Sequence, residues 1–333
     1  MPSLSSGETG LATFAHVLDV PPSTSTPAPE APGAAAAACA LAVPSRIDIT
    51  RDFIRTKRPC SDGYRWFLRR KEAVSDYQAL LDALVAEGRY TDACWLLDQL
   101  GPTDEVLCVD ELSADALVFA GTLECRGMAE VSHLLRVGRS LRVGAGLRVQ
   151  GDLTVGEELH VGGALFCEGA AKLGSDARIG WSLSVGGALA CEGRVRVGWG
   201  ADITGAARIQ GNALVGHALS VGQDFECQST VKTGGDLTAA GTVDVRLGIV
   251  SAGSVRGAGH VQAGWGIRAA QDIQAEGAIR AGETLQAGGC IEAGGAYGVF
   301  AGLTAPIDAW QSSGFVSAAR KPERLLSGWW VEP

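Results

Sequence analysis

Every sixth residue between Leu117 and Leu303 is apolar or aromatic, through thirty-two consecutive positions. The residue two places further on is nearly always apolar or small as well, as in the pair Leu141/Val143. From Ala263 to Ala293 this second position is always alanine. A mostly polar residue lies between the two, and glycine is the commonest residue after them. An apolar–polar–apolar triplet forms a three-residue strand with both apolar side chains on one side. The repeat therefore predicts very short strands separated by three-residue corners.

The spacing also limits how such strands can be arranged. Six residues are too few for the crossover helix that joins parallel strands in an ordinary sheet. Three strands can close one coil of about 18 residues, with glycine turning the corners through dihedral angles that other residues avoid, and coils stack about 4.8 Å apart. The predicted fold class is mainly β: a parallel β-helix, or β-solenoid, over residues 113–305, with about ten to eleven coils and a length of roughly 50 Å.

The segments on either side of the repeat differ in composition. Residues 1–45 are rich in Pro, Ala, Ser and Thr, which predicts a flexible low-complexity tail. Residues 46–112 show N-cap and stop residues typical of a small α-helical domain, and a basic run between 51 and 71 is interpreted as its solvated face. Residues 306–333 leave the period and hold three tryptophans. We interpret these two segments as caps, which predicts a monomer or small homo-oligomer rather than a filament.

Composition excludes several classes of protein. The net charge of −9 gives no general attraction to nucleic acid or anionic membranes. No apolar run approaches the ~20 residues of a membrane span, and the first residues do not resemble a secretory signal. Nine cysteines without a CxxC pair argue against a disulfide framework and a zinc ribbon. We expect a soluble cytoplasmic protein without a metal or cofactor.

Residues that carry chemistry are scarce. The sequence has no GxxxxGK[ST], HExxH or GxSxG motif. A hexapeptide acyltransferase needs a loop that encloses its substrate, and a repeat without insertions offers none. Four cysteines, Cys125, Cys167, Cys191 and Cys227, fall at inward positions and are expected to pack in the core. The sequence therefore predicts a protein that is not an enzyme.

The outward residues suggest a binding surface instead. With 18 residues per coil, residues 18 apart form columns, and one column contains five Lys or Arg and no acid. Two tryptophans and a histidine align at the corner that follows it. Like charges in adjacent coils repel, so stability does not explain this column, whereas Trp and Arg dominate binding hot spots. The predicted partner-binding residues are Arg142, His160, Arg178, Trp181, Arg196, Trp199, His217, Lys232 and Arg268. A protein is the favoured partner, and a nucleic acid is the alternative.

Two resemblances refine this hypothesis. The large inward pairs in strands such as "LRVQGDLTV" make residues 117–305 resemble the bactofilins, which implies a right-handed triangular β-helix and, as an alternative function, a cytoskeletal or scaffold polymer. The pieces "DACWLLDQL" and "AYGVFAGL" are similar to bacterial proteins found in toxin neighbourhoods with immunity roles. That likeness implies an immunity protein that binds and occludes a cognate toxin, the function we favour because the predicted caps disfavour a polymer.

Overall fold

Helices precede a long array of strands in the computed structural model, which describes residues 51–57, 59, 61–70 and 76–332. The tail predicted over 1–45 lies outside the described residues. The helices are α1 (Arg51–Thr56), α2 (Ser61–Arg70), α3 (Tyr77–Ala86) and α4 (Tyr90–Leu100), and near the carboxyl end a 3-10 turn (Ile307–Ala309) leads into α5 (Trp310–Ser313).

All the strands pair in parallel, and the solenoid has three faces, here called faces 1, 2 and 3 in the order in which each coil visits them. Face 1 is a 13-stranded sheet, and faces 2 and 3 together form one 21-stranded sheet. Face 1 has thirteen strands: Val106–Val109, Thr122–Cys125, Leu141–Val143, Leu159–Val161, Ala177–Ile179, Val195–Val197, Ala213–Val215, Val231–Thr233, Ile249–Ser251, Ile267–Ala269, Leu285–Ala287, Phe315–Ser317 and Trp329–Val331. Two long strands, Leu112–Phe119 and Ala129–Val137, run through both face 2 and face 3.

The remaining strands alternate between the other two faces. Face 2 continues with Leu147–Val149, Leu165–Cys167, Leu183–Val185, Ala201–Ile203, Leu219–Val221, Leu237–Ala239, Val255–Gly257, Ile273–Ala275 and Ile291–Ala293. Face 3 continues with Asp152–Val155, Ala171–Leu173, Leu189–Cys191, Ala207–Ile209, Phe225–Cys227, Val243–Val245, Val261–Ala263, Ile279–Ala281, Val299–Phe300 and Leu325–Ser327.

The register repeats every 18 residues and confirms the predicted parallel β-solenoid. Arg178, for example, lies directly between His160 and Arg196 in the neighbouring strands. Both apolar residues of each triplet point inward, as Leu165 and Cys167 do, and they are almost completely buried. This stacking of aliphatic side chains forms one continuous core, which holds the outward residues in fixed columns.

Glycine is not required at the corners for unusual dihedral angles, contrary to the prediction from the sequence. Among the described glycines only Gly88, Gly101, Gly302 and Gly328 have a left-handed φ, and none of them lies in the regular corners. At Gly180 an added Cβ would instead overlap the carbonyl oxygen one coil earlier. Close approach of successive backbones, rather than unusual dihedral angles, therefore excludes a side chain there.

The solenoid begins earlier than the hexad pattern indicates. α4 ends at Leu100 and the first strand starts at Val106, within the segment 46–112 assigned to the helical domain. The helices pack on the first coil, where the side-chain amide of Gln78 donates to the carbonyl of Val118 and accepts from the N–H of Ala120, both at 3.0 Å. The amide thereby provides hydrogen-bond partners for two backbone groups at the open edge of the sheet.

The other end departs from the predicted unbroken repeat, which is wrong beyond Ile291. Residues 294–298 form a corner of five residues instead of three, so that Val299 rather than Tyr297 takes the inward position. Tyr297 is exposed against His260, and Leu303 is 53% exposed outside the core. Part of segment 306–333, predicted as a cap, adds further strands to faces 1 and 3.

Candidate binding surface

The predicted column of cations exists on face 1. Arg142, His160, Arg178 and Arg196 occupy the outward position of four successive strands. Leu214, Lys232, Val250 and Arg268 continue the same column. All its cationic members are exposed. We call Arg142, His160, Arg178, Arg196, Lys232 and Arg268 the basic column. The parallel register therefore brings together the six residues that the sequence assigned to this face.

Several arginines of the solenoid have an acidic partner one coil away. The 18-residue spacing places a carboxylate directly beside the guanidinium in three pairs: Arg142–Glu124 at 2.8 Å, Arg194–Asp176 at 2.7 Å and Arg208–Glu226 at 2.7 Å. Glu124 lies beside Arg142, at the outward position of the preceding strand of face 1. Sequence analysis missed this acid because it began the column at Arg142. In each of these three pairs an acid one coil away neutralises the guanidinium.

Arg178 and Arg196 depart from that pattern. Their strands are directly paired, and neither guanidinium makes a hydrogen bond or ion pair with any other residue that the structure describes. The nearest acid in sequence, Asp176, is already engaged: both guanidinium nitrogens Nε and Nη2 of Arg194 donate to its Oδ2, and the Arg194 backbone N–H donates to Oδ1. These hydrogen bonds hold the pKa of the Asp176 carboxyl below its usual value. Two like charges consequently face each other, and neither forms an ion pair within the described residues, although the charge of Arg178 also helps to lower the pKa of the Asp176 carboxyl.

A cavity of about 260 Å³ lies beside these arginines. It is lined on one side by the basic column and on the other by the corner that precedes face 1, and its lining includes four arginines and two acids: Arg142, Arg178, Arg194, Arg196, Glu158 and Asp176. The lining therefore has a net positive charge. An anionic group could contact Arg178 and Arg196 there without displacing an existing ion pair.

On the opposite side of face 1, three aromatic rings stack at one corner. The ring centroids of Trp181 and Trp199 are 5.7 Å apart with planes 7° from parallel, and those of Trp199 and His217 are 4.7 Å apart with planes at 13°. Trp181 is 59% exposed and Trp199 49% exposed. We call these three residues the aromatic ladder. Because side chains of this size are normally covered, an exposed stack adjacent to unpaired arginines has the composition of a binding hot spot.

The inward cysteines occupy the core as predicted. Cys125, Cys167, Cys191 and Cys227 are buried, and the Sγ of Cys191 lies 3.1 Å from the carbonyl oxygen of Ser175. Burial raises the pKa of Cys167 and of Cys191 to about 11, so both thiols are protonated at neutral pH. Within the described ranges no group of three His, Cys, Asp or Glu side chains is arranged to hold a metal ion.

The helical region contains a cavity that sequence analysis missed. It has a volume of about 300 Å³ and an apolar lining that includes Trp66, Phe67, Leu84 and Trp95. The side chains of Trp66 and Phe67 are buried. Capping residues indicate where helices begin and end, but they do not show whether the side chains between the helices fill the space there.

Comparison with known proteins covers only the helical part of the chain. Residues 46–100 match the family model of the YdhT N-terminal domain. No curated protein and no solved structure matches the chain. No helix in the part of the chain that the structure describes is long and apolar enough to cross a membrane. The match makes residues 46–100 similar to the YdhT N-terminal domain, and the bactofilin-like and immunity interpretations of the sequence remain predictions.

Proposed function

We propose that the protein is a non-catalytic binding module, in which a rigid β-solenoid presents the basic column and the aromatic ladder to a protein partner. The observation that carries this proposal is the pairing of Arg178 with Arg196. Several arginines of the solenoid have a carboxylate one coil away, as Arg194 and Arg208 do. Arg178 and Arg196 instead lie directly opposite each other, with no ion pair in the described residues, beside the exposed Trp181 and Trp199. A carboxylate from a partner would supply the missing counter-ion.

Rigidity supports the same proposal. The column is anchored by inward residues that are almost fully buried on both sides of each outward residue, such as Ala177 and Ile179 around Arg178. Such a surface loses little conformational freedom when a partner binds, which favours affinity. The outward residues stand about 4.8 Å apart along the column, so one oxyanion can accept hydrogen bonds from two neighbouring guanidinium groups.

The more specific proposal is that the partner is a toxin and that the chain is its immunity protein, acting in the cytoplasm. An immunity protein has to occlude its target, and a preorganised, charged and aromatic surface several coils long suits that task. Tight inhibitory complexes typically bury about 800 Å² on each partner. The basic column and the aromatic ladder span enough coils to supply an interface of that size.

Purified chain gives the first test, by size exclusion with light scattering and negative-stain imaging of the same peak. An elongated monomer or small oligomer agrees with a binding module. Open-ended filaments contradict it and favour the bactofilin-like polymer. The second test is binding to the protein encoded next to this chain, with a double variant of the two unpaired arginines as the control.

A further inference from the structure

A trough at the corner between faces 1 and 2 lies beside the aromatic ladder. Two successive coils have only small residues at this corner, Gly-Ala-Gly at 144–146 and Gly-Gly-Ala at 162–164. The next coil places Trp181 at the same corner, and the coil on the other side places Met128 there. Both of these side chains are exposed, Trp181 by 59% and Met128 by 58%. The terminal methyl of Met128 lies over the Gly146 corner, 3.7 Å from where a Cβ on that glycine would be. The uncovered floor is therefore the corner at 162–164, between Met128 and Trp181.

The dimensions of the trough suit a flat group. Three coil steps separate Met128 from Trp181, which at about 4.8 Å a step is roughly 14 Å. One indole face of Trp181 is stacked on Trp199, and the other is directed toward the coil of Gly163, where there is no side chain. An aromatic ring stacked on that free face would extend the aromatic ladder by one coil.

The sides of the trough carry cations and a further aromatic ring. His160 on face 1 and Phe166 on face 2 belong to the same coil as Gly163, and the guanidinium of Arg148 lies 4.9 Å from the centroid of Phe166. Arg178, which has no acidic partner, is adjacent to His160. A group bound in the trough would thus meet the indole of Trp181 at one wall and positive charge at the rim.

We infer that the trough binds an aromatic side chain of the partner, flanked in its sequence by acidic residues. This inference rests on the proposed function and names the part of the partner that the surface recognises. The ring would stack on Trp181 above Gly163, and a neighbouring carboxylate would accept hydrogen bonds from Arg178. Charge complementarity selects an acidic segment, because Arg148 and Arg178 beside the trough form no ion pair within the described residues, whereas the nearby Glu124 is already paired with Arg142.

A filling substitution tests the inference with a matched control. Gly163→Trp places an indole on the floor of the trough, whereas Gly235→Trp makes the same change beyond His217, at the far end of the aromatic ladder. An added Cβ meets backbone atoms at 3.0 Å or more at Gly163 and at 3.2 Å or more at Gly235, so the two changes are sterically similar. Trp181 and Trp199 already show that this corner position accepts an indole.

The probe is the peptide acetyl-Asp-Asp-Tyr-Asp-Asp-amide, titrated into the full chain while the indole N–H resonance of Trp181 is followed by NMR. We expect saturable, millimolar binding that moves this resonance in wild type and in Gly235→Trp. Gly163→Trp should weaken binding at least tenfold, as should replacement of the peptide tyrosine by leucine. The variant Trp181→Phe, which lacks this resonance, assigns it. If Gly163→Trp or Gly235→Trp misfolds, the titration of wild type with the two peptides still supports or opposes the inference.

Three outcomes overturn the inference. One is an unmoved Trp181 resonance in wild type at saturating peptide, and another is equal binding by Gly163→Trp and Gly235→Trp. The third is binding of adenosine monophosphate at least tenfold tighter than the peptide, which would assign the trough to a nucleotide. If an intact partner binds and only the arginine variants abolish binding, the trough inference fails while the proposed function stands. If no partner binds wild type, both fail.

Discussion

On face 3, Arg208 donates to Glu226 in the next coil at 2.7 Å, whereas on face 1 Arg178 faces Arg196 with no acid between them. The backbone around the two pairs is the same, with buried residues on either side of each outward side chain. The Arg208 guanidinium also holds the pKa of the Glu226 carboxyl below its usual range. The scaffold can therefore pair an arginine with an acid in an adjacent coil, as it does for Arg208 on face 3 and for Arg142 on face 1, but it does not do so for Arg178 and Arg196.

We propose that face 1, unlike face 3, binds a partner that supplies the missing carboxylate. The largest expected effect is on binding. Arg178→Glu/Arg196→Glu should weaken binding of the partner about 100-fold or more, because each residue of a hot spot contributes about 2 kcal/mol and 1.4 kcal/mol is a factor of ten. Titration calorimetry measures this directly.

The matched control for that variant is Arg208→Glu/Arg280→Glu on face 3, which changes the net charge equally. It should alter the affinity less than threefold at 150 mM salt. Equal losses for the two double variants would show that overall charge, and not face 1, attracts the partner.

The second comparison is between stacked and isolated tryptophans. Trp199→Ala removes the middle of the aromatic ladder and should lower the free energy of unfolding by about 1–2 kcal/mol, since an aromatic pair contributes about 0.5–1.5 kcal/mol beyond its buried area. Trp265, which is 52% exposed and has no ring contact among the described residues, is similar in exposure to Trp199 at 49%. Trp265→Ala should therefore change stability by less than about 0.5 kcal/mol in urea unfolding.

A smaller effect concerns stability at the arginine pairs. Arg178→Glu creates the opposite-charge neighbour that Arg196 lacks, and it should raise the free energy of unfolding by about 0.5 kcal/mol at low salt. Arg208→Glu places two acids together and should lower it by a similar amount. Urea midpoints in 20 mM and 1 M NaCl measure both, and the differences should fade at high salt. A loss of stability in Arg178→Glu would mean that Arg178 has a structural role.

The smallest effect is the titration of Asp176. Hydrogen bonds from Arg194 lower its pKa in the folded state, so the ion pair stabilises the fold above the unfolded pKa of about 3.9. This contribution is lost as the pH falls through the lower, folded value. Carboxyl NMR should therefore place the Asp176 midpoint below 3.9, and Arg194→Gln should raise it, whereas Arg208→Gln should not. An unchanged midpoint in Arg194→Gln would contradict this pairing.

The columns could be predicted from the sequence because the period alone determines them. Once three hexads close a coil, the residue beside Arg178 has to be His160 on one side and Arg196 on the other. The same arithmetic placed Trp181, Trp199 and His217 in one aromatic ladder. When a repeat is this regular, residues one coil apart in sequence are neighbours in space, and side-chain conformation need not be known to identify them.

Features that depend on local geometry could not be predicted in the same way. The two extra residues at 294–298 transfer the inward position from Tyr297 to Val299, although tyrosine also suits the hexad pattern. The pairing of Asp176 with Arg194 follows the 18-residue spacing, but its bidentate geometry depends on how far the two side chains extend. The apolar cavity among the helices depends on the space between side chains, which a pattern does not contain.

The most direct test of the central claim is calorimetric titration of the protein encoded beside this chain into three forms of it: wild type, Arg178→Glu/Arg196→Glu, and Arg208→Glu/Arg280→Glu. The account predicts stoichiometric binding to wild type and to the face 3 variant, with binding to the face 1 variant weakened about 100-fold or more. Equal binding to all three forms would contradict the assignment of face 1 as the binding surface.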